Sequence, residues 1–171
     1  MARIFILLFA LAYVAVSGPV RAEAAPEGEI SGIAQAIDAD ILTIGNQRII
    51  LWGIDAPERN QTCTLGGRNW GCWQAAMRKL QTLADDRSIK CVSQADRDPL
   101  GRIFAICTSG GVDIGEAMVK SGLARAFKGQ SKIYAAVEKE AKEAKAGLWQ
   151  KSAESVAPWV WRLTKSRSLI R

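Results

Sequence analysis

Apolar residues recur with two periods along this chain. Between residues 30 and 54 they come in short runs of strand length, and around residue 140 they return at steps of three and four. Residues 30–38 (ISGIAQAID) and 41–44 (ILTI) read as strands, the second ended by the turn Gly45-Asn46, and residues 48–54 (RIILWGI) read as a third, nearly continuous apolar strand. The connections are very short, so the three make a meander. Residues 55–71 carry Pro, Gly, Asn and Thr and predict an irregular loop. Residues 74–83 then place Ala76, Met77, Leu80 and Leu83 at helical spacing.

Two more strands follow, at 88–94 and 102–108, around the turn Asp96-Arg97-Asp98-Pro99-Leu100-Gly101. A helix over 113–121 puts Ile114, Ala117 and Met118 on one face, with Gly122 as its stop. A last helix over 131–146 carries the stripe Tyr134, Val137, Ala141, Ala144 and Leu148 and is closed by Gly147. Its charges pair as Glu138–Lys142 and Lys139–Glu143 and solvate the outer face. Five short strands with a helix after the third fit a small, closed or partly open OB-type barrel, mainly β in an α+β arrangement. In the tail, Pro158-Trp159-Val160-Trp161-Arg162 is expected to lay two indoles against the barrel or a helix. Arg162, Lys165, Arg167 and Arg171 would leave a mobile, polyanion-attracting end.

The first residues add a compartment. Arg3 precedes 13 apolar or near-apolar residues, Ile4 to Val16, and Val20-Arg21-Ala22 has the small-residue pattern of a leader cleavage site. A membrane span needs about 20 apolar residues. The expected organisation is a signal peptide at 1–22, a linker at 23–29, one domain at 30–150 and a basic tail at 151–171. No anchor remains after cleavage, which gives an exported chain, periplasmic or secreted. It is expected to be a monomer.

Four cysteines fit such a compartment and read as two disulfides. They admit three pairings, and local geometry favours Cys63–Cys72, which closes a short loop, with Cys91–Cys107, which links neighbouring strands. A zinc site is disfavoured, because the chain has no C-x-x-C pair and no histidine. The same absence excludes Ser-His-Asp and Cys-His catalysis and any imidazole base. Carboxylates, arginines, lysines and a metal must carry any chemistry. The net charge of +6, or +4 without the leader, suits a polyanionic partner but is a weak clue.

Asp38 and Asp40 flank Ala39 at the first turn, while Asp55 and Glu58 bracket Ala56-Pro57 after the third strand. Either pair alone reads as turn chemistry. In order along the chain, however, AIDAD, LWGIDAPE, DPLGR, GEAMVKSGLA and EAKEAKAGLW resemble the thermonuclease, or staphylococcal-nuclease-like, family from about residue 33 to 149. The cysteine-bounded insert and the PW-x-W-R ending are similar to exported bacterial members. The resemblance implies a five-stranded OB-type barrel with three helices that hydrolyses phosphodiesters of DNA and RNA, as endonuclease or exonuclease, with calcium. It implies Asp40, Asp55 and the backbone carbonyl of Ala56 as calcium ligands, a shell of hard oxygens that suits this ion. Asp38 would hold a nearby water. Glu58 would orient or deprotonate the attacking water, and Arg102 would bind the phosphate and neutralise transition-state charge. Asp98, four residues before Arg102, would fix that arginine's direction.

One departure bears on activity. The family pattern has an arginine five residues before the metal-binding aspartate, and here that position is Ile50. Arg48 lies two residues earlier on the same strand face, displaced by about 6.6–7 Å, and is a candidate substitute. Ala39, Ile41 and Pro99-Leu100 also depart from the pattern. A catalytically silent barrel binding nucleic acid or another polyanion, and a non-nucleolytic envelope protein in exopolysaccharide production, are therefore alternatives to a nuclease.

Overall fold

The computed structural model describes residues 28–168. The expected leader and Arg171 lie outside the described residues. Five strands form the barrel: β1 (Glu29–Asp38), β2 (Ile41–Ile44), β3 (Gln47–Leu51), β4 (Ser88–Ser93) and β5 (Ile103–Ser109). They lie in the order β3-β2-β1-β4-β5, antiparallel throughout. A parallel pairing of β3 with β5, from Ile49↔Ile103 to Leu51↔Ala105, closes the ring. Closure leaves no long unpaired edge in so small a sheet.

Alternation decides what faces inward. Leu42 and Ile44 on β2, Ile49 and Leu51 on β3, and Ile103 and Ala105 on β5 are buried, and Leu80, Ile89, Ile114 and Met118 complete the core. Their neighbours on β2, β3 and β5 point the other way: Ile41 pairs with Ile50, and Ile50 with Phe104, so these three form one apolar strip on the outer surface. Each disulfide joins the favoured pair of cysteines. Cys91 and Cys107 are direct partners across β4 and β5, and Cys63 ties the 55–71 segment to the helix that starts at Cys72.

Among the described residues four α-helices form rather than three: α1 (Cys72–Ala84), α2 (Ile114–Lys120), α3 (Ala135–Glu143) and α4 (Pro158–Ser168). Helix α3 is shorter than its apolar stripe predicts. Tyr134 leaves helical geometry to donate its hydroxyl hydrogen to the Asp113 carboxylate at 2.9 Å, and Lys145 at φ 53° ends the helix before Gly147. Gly147, at φ 51°, packs where a Cβ would strike the carbonyl of Gly122. The 55–71 segment is less irregular than expected: Cys63–Leu65 pairs with Arg68–Trp70, and Ala153–Glu154 adds a third strand.

Helix α4 occupies what the sequence suggested was a mobile end. Proline suits the first helical position, where its missing N–H is no loss. Trp159 packs against Phe127 with centroids 5.3 Å apart, which meets the indole-packing expectation for one of the two indoles, while the ring of Trp161 lies under Lys165 of the same helix. Before α4, Gln61 Nε2 donates to the Val156 carbonyl at 2.9 Å, and Arg125 Nη2 donates to the Ser155 carbonyl at 2.9 Å. Among the described residues no helix is long and apolar enough to cross a membrane.

Candidate active site

The carboxylates stand where the meander turns. Asp38 ends β1, and its Oδ1 accepts from the Ala39 N–H at 2.8 Å and from Trp73 Nε1 of α1 at 2.6 Å. Asp40, just past the turn, accepts the Ala56 N–H on Oδ2 at 3.2 Å, while its backbone carbonyl accepts from Leu51 at 3.0 Å. That pair of bonds ties the first turn to the exit of β3. The exit itself depends on Gly53, whose φ of 76° swings the chain out of β3 and whose N–H donates to Gln130 Oε1 at 2.7 Å. Ile54–Asp55 then pairs with Arg125–Ala126, which fixes Asp55 at 3 % exposure. Three residues on, the Glu58 N–H donates to Gln61 Oε1 at 3.2 Å.

Two arginines face these acids. The 96–101 turn is wound around the Asp98 carboxylate, which accepts from the N–H groups of Leu100 at 3.0 Å and Arg102 at 2.9 Å. Its second oxygen accepts from Arg102 Nε at 2.6 Å. Asp98 thus holds the guanidinium by its inner nitrogen and leaves both Nη groups uncommitted among the described residues. From the far end of the chain, Arg162 of α4 makes a fork on Asp55, with Nη1 to Oδ1 at 3.0 Å and Nη2 to Oδ2 at 2.7 Å. Nη1 also donates to Glu58 Oε1.

These groups line one open cavity of about 410 Å³: the acids Asp38, Asp40, Asp55 and Glu58 with Ala56, the guanidinium groups of Arg102 and Arg162, and the apolar side chains of Ile41, Ile50 and Phe104. Burial and the nearby charge of Asp55 push the Asp40 carboxyl up to about 7. Burial also raises the Asp55 carboxyl, against the lowering effect of the Arg162 fork. Asp40 therefore has no bonded cation among the described residues, whereas Asp55 and Glu58 share one. Among the described residues no three carboxylates converge as a preformed metal cluster.

Every predicted site residue except Arg48 lines this cavity. Arg48 is exposed and pairs across to Thr43, one step nearer the Gly45-Asn46 turn and further from the carboxylates than Ile50. The structure therefore gives Arg48 no place beside the acids. Sequence reasoning missed Arg162 as a site residue. Its one local signal was position: four residues after Pro158, it falls one helical turn along from the buried start of α4.

A closed five-stranded barrel with acids at its meander turns and guanidinium groups lining the same cavity defines a nuclease-type OB fold. The sequence model for staphylococcal nuclease homologues matches residues 48–151. The chain belongs to this staphylococcal-nuclease-like family. It is also 32 % identical over 129 residues to the succinoglycan biosynthesis protein ExoI of Rhizobium meliloti (strain 1021), a match that covers 73 % of this chain and 67 % of that protein.

Proposed function

We propose that this protein is an exported, calcium-dependent nuclease that hydrolyses phosphodiester bonds of DNA and RNA. The observation that carries the reading is the convergence of Asp40, Asp55, Glu58 and Arg102 on one open cavity from three separate stretches of chain. Two disulfides suit an oxidising compartment and support export to the periplasm or medium.

The donor set fits a hard divalent cation. Asp40 is a crowded carboxyl with a raised proton affinity and a single backbone donor, so positive charge beside it would relieve both burial and repulsion from Asp55. Asp40 and Asp55 would hold calcium, with the Ala56 carbonyl, and the bound ion would polarise the phosphate. Asp38, fastened by Trp73, would anchor a water at the rim.

The chain's own groups supply the rest. Glu58 is partly exposed and engages Arg162 through Oε1 alone, so Oε2 is available to accept a proton from water. The water oxygen attacks phosphorus, its proton passes to Glu58, and the bond to the departing ester oxygen breaks. The free Nη groups of Arg102 bind the non-bridging oxygens as negative charge builds there.

Cleavage of single-stranded DNA by purified protein, with calcium and with chelator, tests the reading beside a Glu58→Ala control. Calcium-dependent cleavage that the control lacks supports it, and a folded sample that never cleaves sinks it. The name of the Rhizobium relative favours a second reading, a non-nucleolytic role in exopolysaccharide production on the same barrel. Absence of both cleavage and nucleic-acid binding would point there.

A further inference from the structure

Ile50 puts an apolar side chain in the cavity wall at the strand position where the family resemblance implies an arginine, and α4 brings a guanidinium in. On the nuclease reading of this cavity, we propose that Arg162 is a second phosphate clamp, delivered by the C-terminal helix, that takes over the charge missing at Ile50. Arg162 and Ile50 line the same cavity, together with Arg102.

Donor accounting supports the role. A guanidinium has five N–H donors. Asp55 and Glu58 take three from Arg162, both on Nη1 and one on Nη2. The Nε–H and the second Nη2 hydrogen remain without a partner among the described residues, and these two lie side by side on one edge. That edge is the fork that matches two oxygens of a phosphate. The Asp55–Glu58 side fixes the guanidinium's plane, so little freedom is lost when an anion docks on the other edge.

The helix is also held firmly enough to position a side chain. Trp159 packs on Phe127, which itself lines the cavity, and Ser155 and Val156 are bonded to the barrel side by Arg125 and Gln61. A helix acting as a plug would fill the cavity, yet about 410 Å³ stays open with Arg162 in its wall. The arginine's side chain keeps 46 % of its exposure, so a strand arriving from solvent can reach it.

The test is binding of a short fluorescent single-stranded DNA by the full exported protein in chelator, where cleavage is off, read by anisotropy across a salt series. Arg162→Gln is expected to weaken binding about tenfold and to flatten the salt slope by about one phosphate contact. Adding Ile50→Arg to Arg162→Gln should recover most of that loss. Lys165→Gln, one turn along the same helix, should change little despite removing the same charge.

Undiminished or tighter binding by Arg162→Gln would overturn the clamp, and faster calcium-driven cleavage by that variant would identify α4 as a restraint on the site. So would an equal loss in Lys165→Gln, a loss that Ile50→Arg fails to repair in a variant of unchanged melting temperature, or no binding by the unaltered protein. If the unaltered protein binds through Arg162 and never cleaves with calcium, the nuclease reading fails and the clamp stands.

Discussion

Arg102 and Arg162 line the same cavity and are held by opposite ends. Asp98 grips Arg102 at Nε, through a turn closed within five residues, and leaves its outer nitrogens free. Asp55 and Glu58 grip Arg162 at the outer nitrogens, across more than a hundred residues of sequence, and leave the inner edge free. The partner of Arg102 is a dedicated support outside the reacting set. The partners of Arg162 are themselves proposed to bind metal and activate water. One guanidinium is thus independent of the acids, and the other shares their charge.

Arg102→Gln should accordingly give the largest loss. Removing a preorganised donor aimed at developing charge costs about 10²–10³-fold in turnover, roughly 3–4 kcal/mol. We expect that loss in kcat for single-stranded DNA with calcium, with an unchanged thermal midpoint. A smaller loss than Arg162→Gln produces would reverse the ranking of the two arginines.

The contrast also explains what the sequence disclosed. Barrel strands, the acids at their turns and the Asp98–Arg102 turn are local: alternation marks the strands, and the carboxylates sit within a few residues of the glycine and proline that bend the chain. Both disulfides followed from strand adjacency and a short loop. Helix α4 was hidden because its faces are weakly sorted, with Val160 and Leu163 exposed and Pro158 fully covered. Its course is set by tertiary contacts, Trp159 on Phe127 and the bonds to Ser155 and Val156, and no periodicity encodes these. Arg48 misled for the converse reason. Face and spacing were read correctly, but the register opposite Thr43 carries it away from the acids.

The division of charge predicts a pH effect. Arg162 serves Asp55 and Glu58, and Asp40 is left with a carboxyl pushed from 3.8 up to about 7, first by burial and then by Asp55. A group that binds its proton more tightly when folded stabilises the fold fully below its unfolded value. That contribution is lost as pH rises from about 4 through 7. The shift sets an upper limit near 4 kcal/mol, and partial exposure of the residue brings the expected loss to on the order of 2 kcal/mol. Urea midpoints in chelator should therefore fall between pH 5 and 8, and Asp40→Asn should remove most of that slope. Calcium should restore stability at the upper end, where it replaces the proton. A slope unchanged in Asp40→Asn would show that Asp40 is not the carboxyl in need of a cation.

A smaller effect is expected at the support of Arg102. Asp98→Asn keeps an oxygen for the backbone N–H groups of Leu100 and Arg102 but loses the charge opposite Nε. The turn should persist and the guanidinium should wander. About a tenfold fall in kcat, with KM little changed, would mark a positioning residue. A wild-type rate would mean that the cavity itself aims Arg102.

The smallest effect should come from Arg48→Gln, and its smallness carries information. Arg48 shares a strand face with Ile50, so a long arm reaching toward the acids was the simplest remedy for the missing charge. Its register opposite Thr43 and its absence from the cavity wall argue against that remedy, while Arg162 stands in the wall with an unused edge. Arg48→Gln should then change cleavage by less than about twofold, the loss of one exposed charge being worth a few tenths of a kcal/mol. If the fall matched that of Arg162→Gln, and the two losses failed to add in the double variant, both arginines would act on one phosphate. The tail helix would then be a partner of β3 in clamping the substrate and not its replacement.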